Sequence, residues 1–118
     1  MEIILASKSP RRTEILKKAI STYGKESQID VCIEEMSELI KAIIKFKRAS
    51  QKIDAMEVRA FRQYISEKVA DIAEEIADVE IMLQQLRLIF NCEKEVNGQL
   101  EYKINRLKER LMDNGNIS

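Results

Sequence analysis

Two short acidic segments contain the residues best suited to chemistry. Glu35 and Glu38 lie three positions apart in the first segment, and Glu75 and Asp78 lie three positions apart in the second. Residues at this spacing are neighbours on one face of a helix, so each pair could reach a single cation. Oxygen donors without histidine or cysteine select a hard cation, which predicts Mg²⁺, with Mn²⁺ as an alternative. Since Mg²⁺ keeps several waters and bridges to phosphates, the expected substrate is a phosphate ester or anhydride.

The sequence contains no histidine, which narrows the possible chemistry. An imidazole base, an imidazole metal ligand and a His-dependent nucleophile are excluded. A di-iron carboxylate bundle is excluded as well, because it requires a Glu-x-x-His motif on two helices. Cys32 and Cys92 are far apart and match no metal-binding spacing. One disulfide between them is conceivable, but reduced thiols are expected.

Composition predicts one globular domain of 118 residues, with residues 1–22 as a possible extra N-terminal segment. Lys plus Arg is 20 and Asp plus Glu is 20, so the net charge gives no reason to expect nucleic-acid or anionic-membrane binding. No apolar run approaches the roughly 20 residues of a membrane span. Because the N-terminus also lacks the pattern of a secretion signal, a cytoplasmic location is expected.

The elements that must position the acidic pairs are helices, so the predicted fold class is all-α. Helix-favouring residues dominate, and three Gly and one Pro leave little material for turns. Ser9 before Pro10 predicts a hydroxyl-capped helix start, and Gly24 suits a left-handed cap. Residues 2–6 could form a short strand or an ordered tail. The pattern predicts helices over residues 10–22, 27–48, 55–90 (with a possible break at 64–66) and 93–112, with Asn91 as a cap.

Helical periodicity turns the acidic pairs toward apolar faces. On the second helix Glu35 falls at the edge of a broad apolar arc, with Glu38 beside it. On the third helix Glu75 falls inside the arc, with Asp71 and Asp78 at its edge. A buried carboxylate is usually protonated, paired or metal-bound, because leaving it unpaired costs several kcal/mol. The alternative is that the pairs arise by chance and are structural. The arc on the second helix consists of Ile33, Met36, Leu39, Ile40, Ile43, Ile44 and Phe46.

The first acidic segment reads Glu-Glu-x-x-Glu over residues 34–38, and the second reads Glu-Glu-x-x-Asp over residues 74–78. Together they resemble the paired motif of MazG-like all-α nucleoside triphosphate pyrophosphohydrolases. The all-α dUTPases are relatives of that family, and the resemblance covers about residues 23–111. It implies an oligomeric bundle of four to five helices that hydrolyses a nucleoside triphosphate to the monophosphate and pyrophosphate. It also implies that Mg²⁺ binds to Glu35, Glu38, Glu75 and Asp78, that Glu35 or Glu38 activates water, and that Glu34 and Glu74 are secondary candidates.

Three further features accompany this resemblance. Lys103 and Arg106 occupy the place where the family carries a basic pair that could bind the triphosphate. The two acidic motifs are further apart than is usual in the family, so residues 46–64 should extend both helices or add a loop. Residues 4–12 resemble the opening of Maf proteins, where a Ser-x-Ser-Pro-Arg-Arg loop contacts phosphates, and by this resemblance Arg11 and Arg12 would take that role. Because the match is short, the favoured interpretation is that it is a graft or a chance match and that Ser9 and Pro10 simply start a helix.

A second apolar stripe on the third helix predicts a homodimer or homotetramer. A helix that is apolar on two sides must be buried on two sides, and a monomer has few helices to cover both. The sites would then lie at or near subunit interfaces. A rival interpretation is a non-catalytic interaction module of the antitoxin or adaptor kind, which leaves the inward-facing Glu75 unexplained. The stripe consists of Ala70, Ala77, Ile81 and Leu88.

Overall fold

The computed structural model describes residues 9–52 and 57–115, and every element in these ranges is an α-helix. The predicted all-α class is therefore confirmed for the described residues, while the predicted strand or tail at residues 2–6 lies outside them. No helix in these ranges is long and apolar enough to cross a membrane. The four helices are α1 (Pro10–Tyr23), α2 (Lys25–Ser50), α3 (Val58–Ile89) and α4 (Glu93–Asp113).

The first helix begins at Pro10, as predicted, but the expected hydroxyl cap is wrong. Ser9 occupies the N-cap position and its side chain makes no capping hydrogen bond. Its backbone carbonyl instead accepts the first helical bond, from the amide of Thr13 at 3.0 Å. Proline at the first helical position has no N–H that needs a partner, so this helix end has one unsatisfied donor fewer.

Gly24 alone separates α1 from α2, and it ends one helix and precedes the next. Its φ is +92° and its ψ is 149°. The prediction of a positive φ is confirmed, but the left-handed helical conformation is wrong, because ψ is extended. This region of backbone space is essentially restricted to glycine. It turns the chain directly from α1 into α2 without a loop.

The third helix is continuous, so the possible break at residues 64–66 is not formed. None of Tyr64, Ile65 and Ser66 is a helix breaker, and Tyr64 and Ile65 are half-buried. Tyr64 also lies between two cations, with the Nζ of Lys52 at 5.6 Å and that of Lys68 at 5.1 Å from the ring centroid. Both helices extend into the segment between the two acidic motifs, since α2 ends at Ser50 and α3 begins at Val58.

A Schellman motif ends α3, which confirms Asn91 as a cap. Asn91 has a φ of 49° in the left-handed region. The amide of Cys92 donates to the carbonyl of Arg87 at 3.1 Å, and the amide of Asn91 donates to that of Leu88 at 3.3 Å. These are the two bonds that define the motif. The Arg87 side chain then fixes the start of α4, because it donates to Glu93 at 3.0 Å and to Asn97 at 2.8 Å.

The side that α2 buries within the chain differs from the predicted apolar arc. Much of the arc is exposed, including Ile33 and Ile40, each 58% exposed. The buried or half-buried positions instead recur every three or four residues and include small and polar side chains. Glu35 therefore lies at the centre of the buried stripe of α2 and not at its edge. The stripe consists of Gln28, Cys32, Glu35, Leu39, Ala42, Phe46 and Ala49.

The matching side of α3 completes a narrow core. Val79 and Met82 are buried apolar residues of α3, and Gln85 is buried beside them. Glu35 near the middle of α2 contacts the middle of α3, and a short connection joins the two helices, so α2 and α3 form an antiparallel hairpin. Among the described residues, the buried apolar side chains are Leu16, Cys32, Ala42, Ala49, Val79 and Met82.

The chain divides into two compact units, Met1–Leu86 and Arg87–Ser118. The first contains α1, α2 and most of α3. The second contains the end of α3 and α4, and no residue of α4 is buried. Cys32 and Cys92 are both free thiols, as expected. The single domain over residues 1–118 stays a prediction.

Candidate metal centre

Three carboxylates from two helices converge at the middle of the α2–α3 hairpin. Glu35 of α2, with Glu75 and Asp78 of α3, offers one oxygen each, and these oxygens all lie within 4.8 Å of one another. All three side chains are half-buried. Unit charges this close repel one another, and the repulsion grows as water is removed. A single cation between the three oxygens would convert this repulsion into attraction.

The packing of the two helices causes the convergence. Glu35 is flanked along the buried stripe of α2 by Cys32 and Leu39, so its side chain points toward α3. Glu75 lies one turn before Val79 on the buried side of α3. Because Glu35 and Glu75 lie on the buried sides of their helices, burying these two sides against each other brings the two carboxylates together. The apolar neighbours therefore position the charged groups.

One oxygen of the cluster lacks a partner. Oε2 of Glu75 is buried and accepts no hydrogen bond. Buried polar atoms are nearly always satisfied, and an unsatisfied one calls for an explanation such as a water or an ion. The orphaned oxygen belongs to a group of three acidic side chains, which favours a cation over a neutral hydrogen-bond donor such as water.

Burial and mutual repulsion raise the pKa of two of these carboxyl groups. For Glu35, loss of hydration is the largest cause of the raised pKa, followed by the charges of Asp78 and Glu75, a hydrogen bond with Asp78 and the charge of Glu38. For Glu75, loss of hydration again comes first among the causes that raise its pKa. The charges of Asp78, Glu38, Glu74 and Asp71 add to it. A pKa perturbed by burial and specific charge partners is characteristic of functional sites.

Glu38, the fourth predicted ligand, lies outside the group of three. Its Oε1 accepts a hydrogen bond from the Nζ of Lys41 at 3.3 Å, and its side chain is 50% exposed. The four predicted ligands thus separate into three that the structure brings together and one that is paired with a lysine. Glu38 still faces the same region, because its charge raises the pKa of Glu35 and of Glu75.

A surface depression opens beside the cluster. Glu38, Lys41 and Lys45 line it from α2, with Ala42 between the two lysines. From α3 it is lined by Asp71, Glu74 and Glu75. Glu75 therefore belongs both to the carboxylate cluster and to the wall of the depression. A ligand in the depression would lie directly beside a cation in the cluster.

Lys41 and Lys45 are functional candidates that sequence reasoning missed. The helical wheel placed both on the polar face of α2, opposite the broad apolar arc, which is the ordinary position of a solvated lysine. The signal that could have found them is their distance from Glu38, since Lys41 lies one turn beyond it and Lys45 one turn further. The true buried stripe of α2 places this face beside the cluster.

The remaining predicted residues lie elsewhere on the described chain. Glu34 is exposed on α2, and Glu74 is exposed on α3 where it lines the depression. Arg11 and Arg12 are exposed in the first turn of α1. Lys103 and Arg106 are exposed on α4, and the Arg106 guanidinium lies 5.6 Å from the ring centroid of Tyr102.

Scans against protein-family models, curated proteins and solved structures found no match to this chain. Function must therefore be inferred from the residues and their geometry. Three features indicate a function: the carboxylate cluster, the orphaned oxygen of Glu75 and the depression beside them.

Proposed function

We propose that the protein is a Mg²⁺-dependent nucleoside triphosphate pyrophosphohydrolase of the MazG-like class. The observation that carries the proposal is the convergence of Glu35, Glu75 and Asp78, with oxygens within 4.8 Å of one another. The resemblance of the two acidic motifs to that family supplies the reaction: nucleoside triphosphate and water give the monophosphate and pyrophosphate.

The residues present fit a hard divalent cation. The donors are all carboxylate oxygens, which suit Mg²⁺ or Mn²⁺ and not a softer metal. The buried Oε2 of Glu75 has no hydrogen-bond donor, and a cation would satisfy it. A bound cation would supply charge neutralisation for the phosphate oxygens and for the three carboxylates.

The chain's own residues would hold and activate the water. Glu35 or Glu38 would accept the proton of a water that attacks the α-phosphorus, and the raised pKa of Glu35 makes its carboxylate a stronger base. The water oxygen forms a bond to the α-phosphorus while the bond from that phosphorus to the bridging oxygen breaks. Pyrophosphate leaves with the electron pair of the broken bond. Lys103 and Arg106 are the predicted contacts to the triphosphate.

An oligomer, dimeric or tetrameric, is part of the proposal. Large apolar side chains of α2 and α3 are exposed in the single chain. Their helical spacing places them side by side, so they form continuous apolar faces. A second copy of the chain would cover them and would exclude water from the neighbouring carboxylates. The exposed apolar residues on these two helices include Ile33, Met36, Ile40, Ile43 and Ile44 on α2, and Val69, Ile76, Ile81 and Leu83 on α3.

Release of pyrophosphate from a panel of ribo- and deoxyribonucleoside triphosphates tests the reaction. We expect Mg²⁺-dependent release of pyrophosphate and monophosphate in equal amounts. Substitution Glu75→Gln should reduce it more than about a hundredfold, because even residues that only support a metal ligand contribute about 10- to 100-fold. Glu80→Gln makes the same change at an exposed position on the same helix and should have wild-type activity. If the folded wild type releases nothing with Mg²⁺ or Mn²⁺, the proposal fails.

A second candidate is a non-catalytic helical interaction module. The observation that favours it is the extent of exposed apolar surface, which includes Leu100, Ile104 and Leu107 on one side of α4. Such a module needs no cation. The two functions are separated by thermal stability in divalent cations, because only a protein that binds the cation in its folded state gains stability from it.

A further inference from the structure

The depression beside the carboxylate cluster contains two lysines that neither the sequence motifs nor the proposed reaction has used. Lys41 and Lys45 line it from α2, and they face Glu75 and its neighbours on α3. The backbones of residues at i and i+4 lie about 6 Å apart along the helix axis on the same face, so the two side chains could bind neighbouring groups of one extended ligand. Ala42 between them is buried, and its small side chain leaves the space above it open.

Charge identifies the kind of ligand that this depression would take. Carboxylates of α3 line the depression opposite the two lysines of α2, and Glu38 of α2 adds a further carboxylate. A purely cationic ligand would be repelled by the lysines and a purely anionic ligand by the carboxylates. A polyphosphate chain that carries a divalent cation matches both sides, with the metal toward the carboxylates and free phosphate oxygens toward the lysines. Within the described residues, no carboxylate lies within 4.0 Å of the Lys45 ammonium.

The Glu38–Lys41 ion pair connects the two sides. The pair has a 3.3 Å separation, and both side chains are at least half exposed. Exposed pairs of this kind contribute little to stability, so a phosphate group could displace Glu38 from Lys41 at small cost. Glu38 would then be free to turn toward the cluster, where its charge already acts on Glu35 and Glu75.

We propose that Lys41 and Lys45 bind the phosphates of a metal-bound polyphosphate, and that Lys41 thereby exchanges Glu38 for a phosphate and releases Glu38 to the metal site. The proposal rests on the proposed function for the identity of the metal-bound ligand. In it, Lys45 is a binding residue, and Lys41 is both a binding residue and a positioning residue for Glu38. The fourth carboxylate joins the other three only when the phosphates are present.

Isothermal titration calorimetry with two probes tests this exchange: Mn²⁺ alone, and inorganic tripolyphosphate in the presence of saturating Mn²⁺. Lys45→Gln should weaken tripolyphosphate binding about tenfold, equivalent to about 1.4 kcal/mol, and leave Mn²⁺ binding no weaker than in the wild type. Lys41→Gln should also weaken tripolyphosphate binding about tenfold. It should strengthen binding of Mn²⁺ alone, because Glu38 is no longer paired.

The opposite signs for Lys41→Gln distinguish an exchange from structural damage, which would weaken both ligands. Lys47→Gln, an exposed lysine on the same helix that does not line the depression, should change neither. If neither Lys41→Gln nor Lys45→Gln changes tripolyphosphate affinity, or if the wild type does not bind tripolyphosphate, the lysine site is overturned. If tripolyphosphate binding depends on the lysines but no triphosphate is hydrolysed, the lysine site stands and the proposed function fails.

Discussion

A carboxylate inside the apolar face of a helix destabilises the folded chain unless something offsets its charge. Glu35 and Glu75 are both in this situation. Glu35 faces Glu75 and Asp78 across the α2–α3 hairpin, and Glu75 lies three positions before Asp78 on α3. Their raised pKa values express the same fact, because a group that repels its neighbours binds its proton more tightly. The folded chain therefore carries a local instability that a proton, or a cation, would relieve.

The first prediction concerns pH in the absence of divalent cations. A carboxyl group whose pKa is higher in the folded state than in the unfolded state stabilises the folded chain when it is protonated. This stabilisation is complete below the unfolded-state pKa, about 4.3 for glutamate, and it is lost as the pH rises through the folded-state pKa. We therefore expect the contribution of Glu35 and Glu75 to raise the thermal midpoint as the pH falls from 7.5 to 5, measured by circular dichroism in EDTA. Glu75→Gln should have a higher midpoint than the wild type at pH 7.5 and a weaker dependence on pH.

The matched variant Glu80→Gln should retain the wild-type dependence, since Glu80 is exposed on the same helix. An equal pH dependence in wild type and Glu75→Gln would show that the cluster is not the source of the instability.

The second prediction concerns the cation itself. If Mn²⁺ binds only to the folded chain, a concentration of about 100 times the dissociation constant stabilises it by about 2.7 kcal/mol. We expect differential scanning calorimetry to show this rise for the wild type and for Glu80→Gln, and to show most of it lost in Glu75→Gln. A wild type that Mn²⁺ and Mg²⁺ leave unchanged would favour the interaction module.

At the scale of the elements, local sequence signals determined where helices begin and end. Pro10, Gly24 and Asn91 each lie at a predicted boundary, because proline and residues at positive φ act through the backbone alone. The end of α2 at Ser50 lies close to its predicted end at residue 48, although neither proline nor a positive φ marks it, since the cap residue Gln51 has a φ of −87°. Predictions that depend on where a side chain points were less reliable: Ser9 occupies the N-cap position, but its hydroxyl makes no capping hydrogen bond.

The third prediction uses two glycines in opposite situations. At Gly24 φ is +92°, and a Cβ would meet no atom within 4 Å, so the penalty of alanine is purely torsional. We expect Gly24→Ala to lower the free energy of unfolding by about 1–3 kcal/mol. Gly98 lies inside α4 with open space at its Cβ, so Gly98→Ala should stabilise α4 by about 0.5–1 kcal/mol.

Urea denaturation with intrinsic tyrosine fluorescence and circular dichroism would measure both changes. If Gly24→Ala and Gly98→Ala changed the free energy of unfolding equally, the positive φ at Gly24 would not distinguish the two positions.

At the scale of the whole molecule, the sequence predicted the carboxylate pairs but not which helix face the single chain would bury. The most apolar arc of α2 was the natural candidate for the core, yet the chain buries a stripe of small and polar side chains with Glu35 at its centre. Periodicity gives the directions of side chains but not which of two apolar sides meets the same chain. Three of the four predicted ligands still converge, because their spacing along each helix sets the direction of their side chains whichever face is buried. Glu38 does not join them, because its carboxylate pairs with the neighbouring charge of Lys41.

The fourth prediction follows from the exposed arc of α2. In a two-fold dimer each substitution occurs twice, and removing a buried Ile from an interface loses about 1.5–3 kcal/mol per copy. Ile40, which is 58% exposed in the single chain, lies on this arc. We expect Ile40→Lys to weaken self-association by at least about a hundredfold, as measured by sedimentation equilibrium, with little loss of helical content.

Ile15→Lys on α1 is the matched control, because Ile15 is similarly exposed at 60% but lies outside the arc, and it should leave the oligomer intact. If Ile40→Lys gives folded monomers that still bind Mn²⁺ but do not release pyrophosphate, the second subunit contributes to the site through its cover of the hairpin. If the wild type is itself monomeric at micromolar concentration, a second copy does not cover the arc. Its apolar side chains would then be free to dock a different partner, which is what the interaction-module alternative requires.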